Sequence, residues 1–175
     1  MKKGYTDITV VLDRSGSMEK IKGDTIGSFN QFLADQKSVV GQATMTLVQF
    51  NNYYKLVYNG LPIKEVAPLN DATFIPYGIT ALLDAIGRTI IENGKRFESM
   101  PESERPEKII LLIITDGYEN ASSEFGWSEE DEARRGKEYI EMGKSFQPRQ
   151  PVQPMIQHQV DKYSWQVIFL GANQD

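Results

Sequence analysis

Three stretches of this chain are almost continuously apolar: Ile8–Leu12, Lys108–Thr115 and Trp165–Gly171. Successive side chains of a strand point to opposite faces, so unbroken apolar runs of this length predict strands covered on both sides. Ala43–Phe50 alternates instead. Met45 and Leu47 sort to one face, and Thr44, Thr46 and Val48 to the other. Beyond Asn51-Asn52, the stretch Tyr53–Leu61 reads as its partner, which predicts a hairpin at a sheet edge.

Between these strands the apolar spacing becomes helical. Ile21, Thr25, Phe29, Phe32 and Leu33 share a face of a segment from about Met18 to Lys37. Leu82, Ile86, Thr89, Ile90, Asn93 and Phe97 do the same after Thr80, with Asn93 a polar intruder. Ser128 followed by Glu129, Glu130 and Asp131 has the form of a capped helix start, with acidic residues favoured by the helix dipole. Buried-type strands alternating with helices predict an α/β fold. It is Rossmann-like and doubly wound, with a mostly parallel sheet, one antiparallel edge hairpin strand and helices on both faces. The Pro/Gln-rich run Gln147–Pro154 breaks the pattern, and the stretch 136–154 is expected to be an inserted loop.

Length and composition narrow the class. The chain has 175 residues, which suits one domain with a proper core. A formal net charge of −5 argues against nucleic-acid binding through a broad basic face. There is no cysteine, hence no disulfide framework, and the single histidine is His158. No run approaches the roughly 20 apolar residues of a membrane span, and no signal peptide is recognisable, so the expected location is the cytosol.

The candidate chemistry begins where the first strand ends. Asp13, Ser15 and Ser17 stand at alternate positions in Asp-Arg-Ser-Gly-Ser. A carboxylate and two hydroxyls so spaced form a cluster of hard oxygen donors, suited to Mg²⁺, Mn²⁺ or Ca²⁺ rather than zinc. In an open parallel sheet ligands bind beyond the carboxyl ends of the strands, where strand order reverses. Asp116 follows the long strand that ends at Thr115. Thr80 opens the second long helix after a Gly/Pro-containing loop. If the two strands are neighbours, three separate loops each bring an oxygen donor to one crevice.

Asp-x-Ser-x-Ser, then Gly-x-Thr-x-Leu-x-Asp-Ala, then Thr-Asp-Gly, occur in that order. The pattern resembles the von Willebrand factor A (vWA, integrin I-like) domain of bacterial or phage type, with its metal-ion-dependent adhesion site (MIDAS). The resemblance covers nearly the whole chain, and Leu170–Asp175 resembles the end of that family's fifth strand. It implies a metal, expected to be Mg²⁺, bound by Ser15 and Ser17 directly and by Asp13, Thr80 and Asp116 directly or through water. One position is left for a Glu or Asp of a protein partner. Two carboxylates only neutralise a divalent cation, so the metal stays electrophilic enough to take a third. The family's final helix and edge strand are expected to be absent here, and the 136–154 stretch is longer than the family's usual link.

The function so implied is a divalent-metal-dependent protein-binding module, not an enzyme. A structural or adaptor subunit of a bacterial or phage assembly, for example beside an AAA+ ATPase, is the alternative. A metal-dependent phosphoesterase ranks below both, because no His and no Lys/Arg pair accompanies the cluster. Glu119 and Asn120, after Asp116, are placed on a partner-binding rim. Asp84 is assigned to structure, Tyr53, Tyr54 and Tyr58 to edge packing, Glu129–Glu132 to a solvated helix start, and His158 to a helix without a functional role.

Overall fold

The computed structural model describes residues 1–171. The chain runs β1 (Lys2–Asp13), a 3-10 turn (Gly16–Ile21), α1 (Lys22–Ser38), β2 (Gln42–Phe50) and β3 (Tyr54–Pro62). After a long loop come α2 (Leu82–Glu98), β4 (Pro106–Thr115) and a short β5 (Phe125–Gly126). Then follow α3 (Glu129–Glu141), a short β6 (Gln150–Pro151), α4 (Val152–Tyr163) and β7 (Gln166–Gly171). The main sheet has the order β3-β2-β1-β4-β7, and only the β2–β3 pair is antiparallel. This is the predicted mixed sheet with its edge hairpin.

Strand parity divides the core. Ile8, Val10 and Leu12 of β1 pack with Met45, Leu47 and Leu112 against Phe29 and Leu33 of α1. Val11, Leu111 and Ile113 pack on the other face against Ile86, Ile90 and Phe97 of α2, with Val152 of α4 and Trp165 alongside. Helices therefore cover both faces. From Asp7 onward the odd-numbered residues of β1 face α2, and three of these are polar. The intruder Asn93 is buried there and donates to Thr9 Oγ1 at 2.8 Å. Arg96 of the same helix grips the fully buried Asp7 with two hydrogen bonds of 2.9 Å. The third odd-numbered polar residue is Asp13, at the carboxyl end of the strand.

The order of the sheet fixes where a ligand can sit. From β1 the chain winds outward to β2 and β3, then returns to β4 on the other side of β1. The reversal lies between β1 and β4, whose parallel register ends at Leu12 opposite Ile114. Asp13 and Asp116 thus leave neighbouring strands at the same edge, in the crevice an open α/β sheet offers to ligands.

The 136–154 stretch is not a free loop. Gly136 lies inside α3, and α4 starts at Val152, with Pro154 in its first turn. A proline there breaks no helical hydrogen bond, because the first four N–H groups of a helix have no intrahelical acceptor. Between the helices, Phe146 packs over Gly136 and Arg149 is drawn onto Glu132. Glu132 corrects the expectation of a solvated acidic start. Glu129 and Glu130 are exposed, but Glu132 is buried, with ion pairs of 2.9 Å to Arg135 and 2.6 Å to Arg149. Ser128 caps α3 as predicted, accepting from the Asp131 N–H at 3.1 Å. The expectation for Leu170–Asp175 lies beyond the described residues after Gly171.

Candidate metal centre

Asp13 is fully buried and held from two sides. Its Oδ1 accepts from the Ser15 N–H at 2.6 Å, and its Oδ2 from the Thr115 hydroxyl at 2.7 Å. The first contact is the local turn legible in the sequence. The second comes from β4 and fixes the carboxylate against the neighbouring strand. Burial pushes the Asp13 carboxyl above the ordinary aspartate value. The Ser15 and Thr115 hydrogen bonds offset this only in part, and the charge of Asp116 adds to the rise. Two close carboxylates, one of them desolvated, make an electrostatically unfavourable pair that a cation would relieve.

The hydroxyls link the two acids. Ser15 Oγ and Ser17 Oγ lie 3.2 Å apart, and Ser17 Oγ donates to Asp116 Oδ1 at 2.8 Å. Gly117 reveals how these groups converge. A Cβ built on it would lie 3.5 Å from Thr80 Oγ1, 3.6 Å from Asp13 Oδ2 and 3.7 Å from Ser17 Oγ. Oxygens from two separate chain segments thus surround one small space beside a third, where Gly117 carries no side chain. Thr80 is buried beside this space. The donor set is carboxylate and hydroxyl oxygen throughout. It fits a hard divalent cation, and among the described residues no cluster of three or more His, Cys, Asp or Glu competes with it.

Thr80 reaches the site through a clamp. It precedes α2, which starts at Leu82. Its N–H donates to Asn120 Oδ1 at 2.9 Å, and its carbonyl accepts from the N–H groups of Asn120 and Ala121 at 3.1 Å each. On the other side, Asn51 is buried and donates from Nδ2 to the Tyr77 carbonyl at 2.8 Å. Its own carbonyl accepts from the Ala81 N–H at 3.0 Å. The Gly16 N–H donates to the Gly78 carbonyl at 3.0 Å, tying the Asp-Arg-Ser-Gly-Ser turn to the same loop. Gly78 has φ +81°, the left-handed region that favours glycine.

The structure revises the roles given to Glu119 and Asn120. Glu119 is not a rim group facing a partner. Its carboxylate turns inward and accepts from the N–H groups of Leu83, Ala121 and Ser122 and from the Ser122 hydroxyl, at 2.6–3.0 Å. Leu83 lies in the first turn of α2, where unsatisfied N–H groups favour an acid. Asn120 is exposed, yet its side chain and N–H are both spent on Thr80. Both residues position the site. Asp84 has the expected structural role: its carboxylate accepts from the N–H groups of Ser123, Glu124 and Phe125 at 2.9–3.0 Å. Tyr54 and Tyr58 pack against the core, whereas Tyr53 is exposed.

Sequence reasoning missed Asn51, Thr115 and Arg14. Asn51 read as a hairpin turn residue, and Thr115 as the end of a strand. Arg14 is buried, with its guanidinium 4.9 Å over the Tyr77 ring and its Nε without a hydrogen-bond partner. Only its place between Asp13 and Ser15 signalled it.

No family model matches the chain, and no curated protein matches it. Among solved structures it is similar to a von Willebrand factor type A protein from Catenulispora acidiphila, at 17% identity and TM-score 0.45. That match covers 78% of this chain and 30% of the other. It is also similar to the ArnB paralog VWA2 from Sulfolobus acidocaldarius, at 19% identity and TM-score 0.49, covering 100% of this chain and 36% of that one. A third is the vWF domain of the type V pili tip protein Mfa5 from Porphyromonas gingivalis, at 15% identity and TM-score 0.41, covering 64% and 38%. The chain thus spans about a third of the length of the first two.

Proposed function

We propose that this chain is a divalent-metal-dependent protein-binding module. Asp13, Ser15, Ser17, Thr80 and Asp116 hold the metal, with Mg²⁺ the expected ion and Mn²⁺ or Ca²⁺ as substitutes. The bound ion supplies a Lewis-acidic position that accepts a Glu or Asp carboxylate from a protein partner. The observation that carries this is the convergence of Thr80, Asp13 and Ser17 oxygens on the space beside Gly117. The motif resemblance to vWA domains with a MIDAS supports the same reading.

Binding without turnover is the favoured form. Both oxygens of Asp13 are already engaged by donors, which leaves it poorly placed to take a proton from water. Among the described residues no helix is long and apolar enough to cross a membrane.

The decisive measurement is thermal stability with Mg²⁺ and with EDTA, paired with pull-down from native lysate. Wild type should gain stability from Mg²⁺ and retain a partner only in its presence, and Asp13→Ala should lose both. Unchanged retention in EDTA would sink the proposal. Phosphoester turnover that disappears in Asp13→Ala would favour the enzyme instead.

An adaptor or structural role in a larger assembly is the second reading. It is favoured by β7, at the edge of the sheet, where Ile168, Phe169 and Leu170 are exposed. Light scattering on the purified chain tests for self-association.

A further inference from the structure

The loop that carries Thr80 has a second feature that metal binding does not explain. Between the buried Phe74 and Thr80 the loop turns large apolar side chains outward. Phe74 and Thr80 are buried, whereas Ile75, Tyr77 and Ile79 are 53%, 46% and 54% exposed. Tyr118, one residue beyond Gly117, is 92% exposed. Large apolar side chains held in water cost free energy unless something covers them, and clusters of them mark interaction sites.

Three of the four flank site residues or are tied to the Asp-Arg-Ser-Gly-Ser turn, and Ile75 belongs to the same loop. Ile79 adjoins Thr80, and Tyr118 follows the Asp116-Gly117 pair. Tyr77 donates its N–H to the Arg14 carbonyl at 2.9 Å, and Gly78 is tied to Gly16. The loop backbone is pinned elsewhere too. Asn30 bonds both the N–H and carbonyl of Leu69, at 2.7 and 2.9 Å, and Gln49 donates to the Thr73 carbonyl at 3.0 Å. The exposed side chains are therefore presented by fixed backbone, so a partner pays little to order them.

The rim itself is uncharged, with the Asp13 and Asp116 carboxylates in the site behind it. No residue from Ala72 to Leu83 is charged. Glu119 spends its carboxylate on backbone N–H groups and the Ser122 hydroxyl. The Arg14 guanidinium lies against Tyr77 and makes no ion pair among the described residues. A cationic group beside an apolar rim complements an anion embedded in apolar surroundings.

We infer that the partner segment presents its acidic residue between large apolar or aromatic side chains, which pack on Ile75, Tyr77, Ile79 and Tyr118. This rests on the proposed metal socket and deepens it. The metal takes the carboxylate, and the rim selects the neighbours. An acidic residue in a run of small or charged residues is discriminated against, because it leaves the rim in water.

The test uses the whole chain and a displayed peptide library with a fixed central Asp and randomised flanks, panned in Mg²⁺. Enriched peptides should carry Leu, Ile, Phe, Tyr or Trp beside the Asp. By fluorescence anisotropy, the best of them should bind about tenfold or more tighter than its Gly/Ser-flanked counterpart. Replacing its Asp by Asn, or adding EDTA, should remove binding. Ile79→Ser and Tyr118→Ser, both on exposed side chains, should each weaken it about three- to tenfold. Both variants should keep the wild-type stabilisation by Mg²⁺.

Intact Mg²⁺ stabilisation with no apolar enrichment, no binding of either peptide, or equal affinity for both overturns this inference and leaves the metal reading standing. Apolar peptides that bind equally in EDTA or with Asn also overturn it. Absence of Mg²⁺ stabilisation in the wild type overturns the metal reading, and this one with it.

Discussion

The hydroxyl of Thr115 donates to Oδ2 of Asp13 at 2.7 Å, across 102 positions of sequence. The Ser15 N–H holds the other oxygen at 2.6 Å, so the carboxylate is oriented before any metal arrives. Preorganisation of this kind lowers the reorganisation that binding requires. It also buries a carboxylate close to that of Asp116. That pair is a destabilising term which the proposed metal would relieve.

Asp13→Asn isolates that term. The amide keeps the size of the carboxylate and drops its charge. In EDTA the variant should match or exceed wild-type stability, by up to about 1–2 kcal/mol, since a buried unpaired charge is lost. Added Mg²⁺ should raise the midpoint of wild type and leave that of the variant unchanged. Thermal denaturation of both proteins with and without Mg²⁺ checks this. A variant less stable than wild type in EDTA would show that Asp13 serves the fold rather than the metal.

Gly117→Ala probes the space between the donors. Its methyl would lie at ordinary contact distance, 3.5–3.7 Å, from Thr80 Oγ1, Asp13 Oδ2 and Ser17 Oγ. The metal-free fold should tolerate it, with a change in stability of less than about 1 kcal/mol. Metal affinity should fall about tenfold or more, because the methyl occupies the space on which the oxygens converge. Isothermal titration with Mg²⁺ or Mn²⁺ reads the effect, and unchanged affinity would move the metal away from Gly117.

The strands, the edge hairpin and the Asp13, Ser15 and Ser17 turn were legible because each is written locally. Apolar runs mark buried strands, and Asp13, Ser15 and Ser17 lie within five residues of one another. Thr80 and Asp116 were legible as short motifs after predicted elements. What holds them was not. Asn51, Glu119 and Glu132 are polar residues in turns or at helix starts, where solvation is the ordinary expectation. Each is inward-facing here because of distant partners: Tyr77 and Ala81 for Asn51, Leu83 for Glu119, Arg149 for Glu132. No local pattern encodes such pairings. The Pro/Gln-rich stretch is irregular up to Arg149, and only its end differs from the sequence pattern, because Pro154 sits in a first helical turn that tolerates it.

Glu132 gives the fold its own pH signature. Burial alone would raise its carboxyl, but the Arg149 hydrogen bonds and charge, with Arg135 added, bring it below the ordinary glutamate value. A lowered folded value means the unfolded chain binds the proton more readily. The stabilisation is then fully present above the unfolded glutamate value, about 4.3, and is lost as pH falls through the folded one. Glu132→Gln should cost roughly 2–3 kcal/mol near neutral pH, less than a fully enclosed pair because both arginines keep some contact with water. The cost should shrink below about pH 4. Urea denaturation across pH tests it, and a cost that does not change with pH would remove the ion pairs from the explanation.

Asn51→Ala tests whether the Thr80 loop is held by the hairpin turn. The alanine leaves the Tyr77 carbonyl without its 2.8 Å donor and the Tyr53 N–H without its 2.8 Å acceptor. Losing buried partners of this kind costs about 1–3 kcal/mol. Thr80 is also clamped by Asn120, so the loop should loosen rather than detach. Asp13, Ser15, Ser17 and Asp116 keep their own contacts. Metal affinity should therefore fall only a few-fold, and binding of any partner that rests on Tyr77 and Ile79 should fall further. Amide hydrogen exchange should rise from Phe74 to Ala81 and stay unchanged in β1 and β4. Exchange that rises equally across the sheet would mean that Asn51 supports the core as a whole rather than this loop.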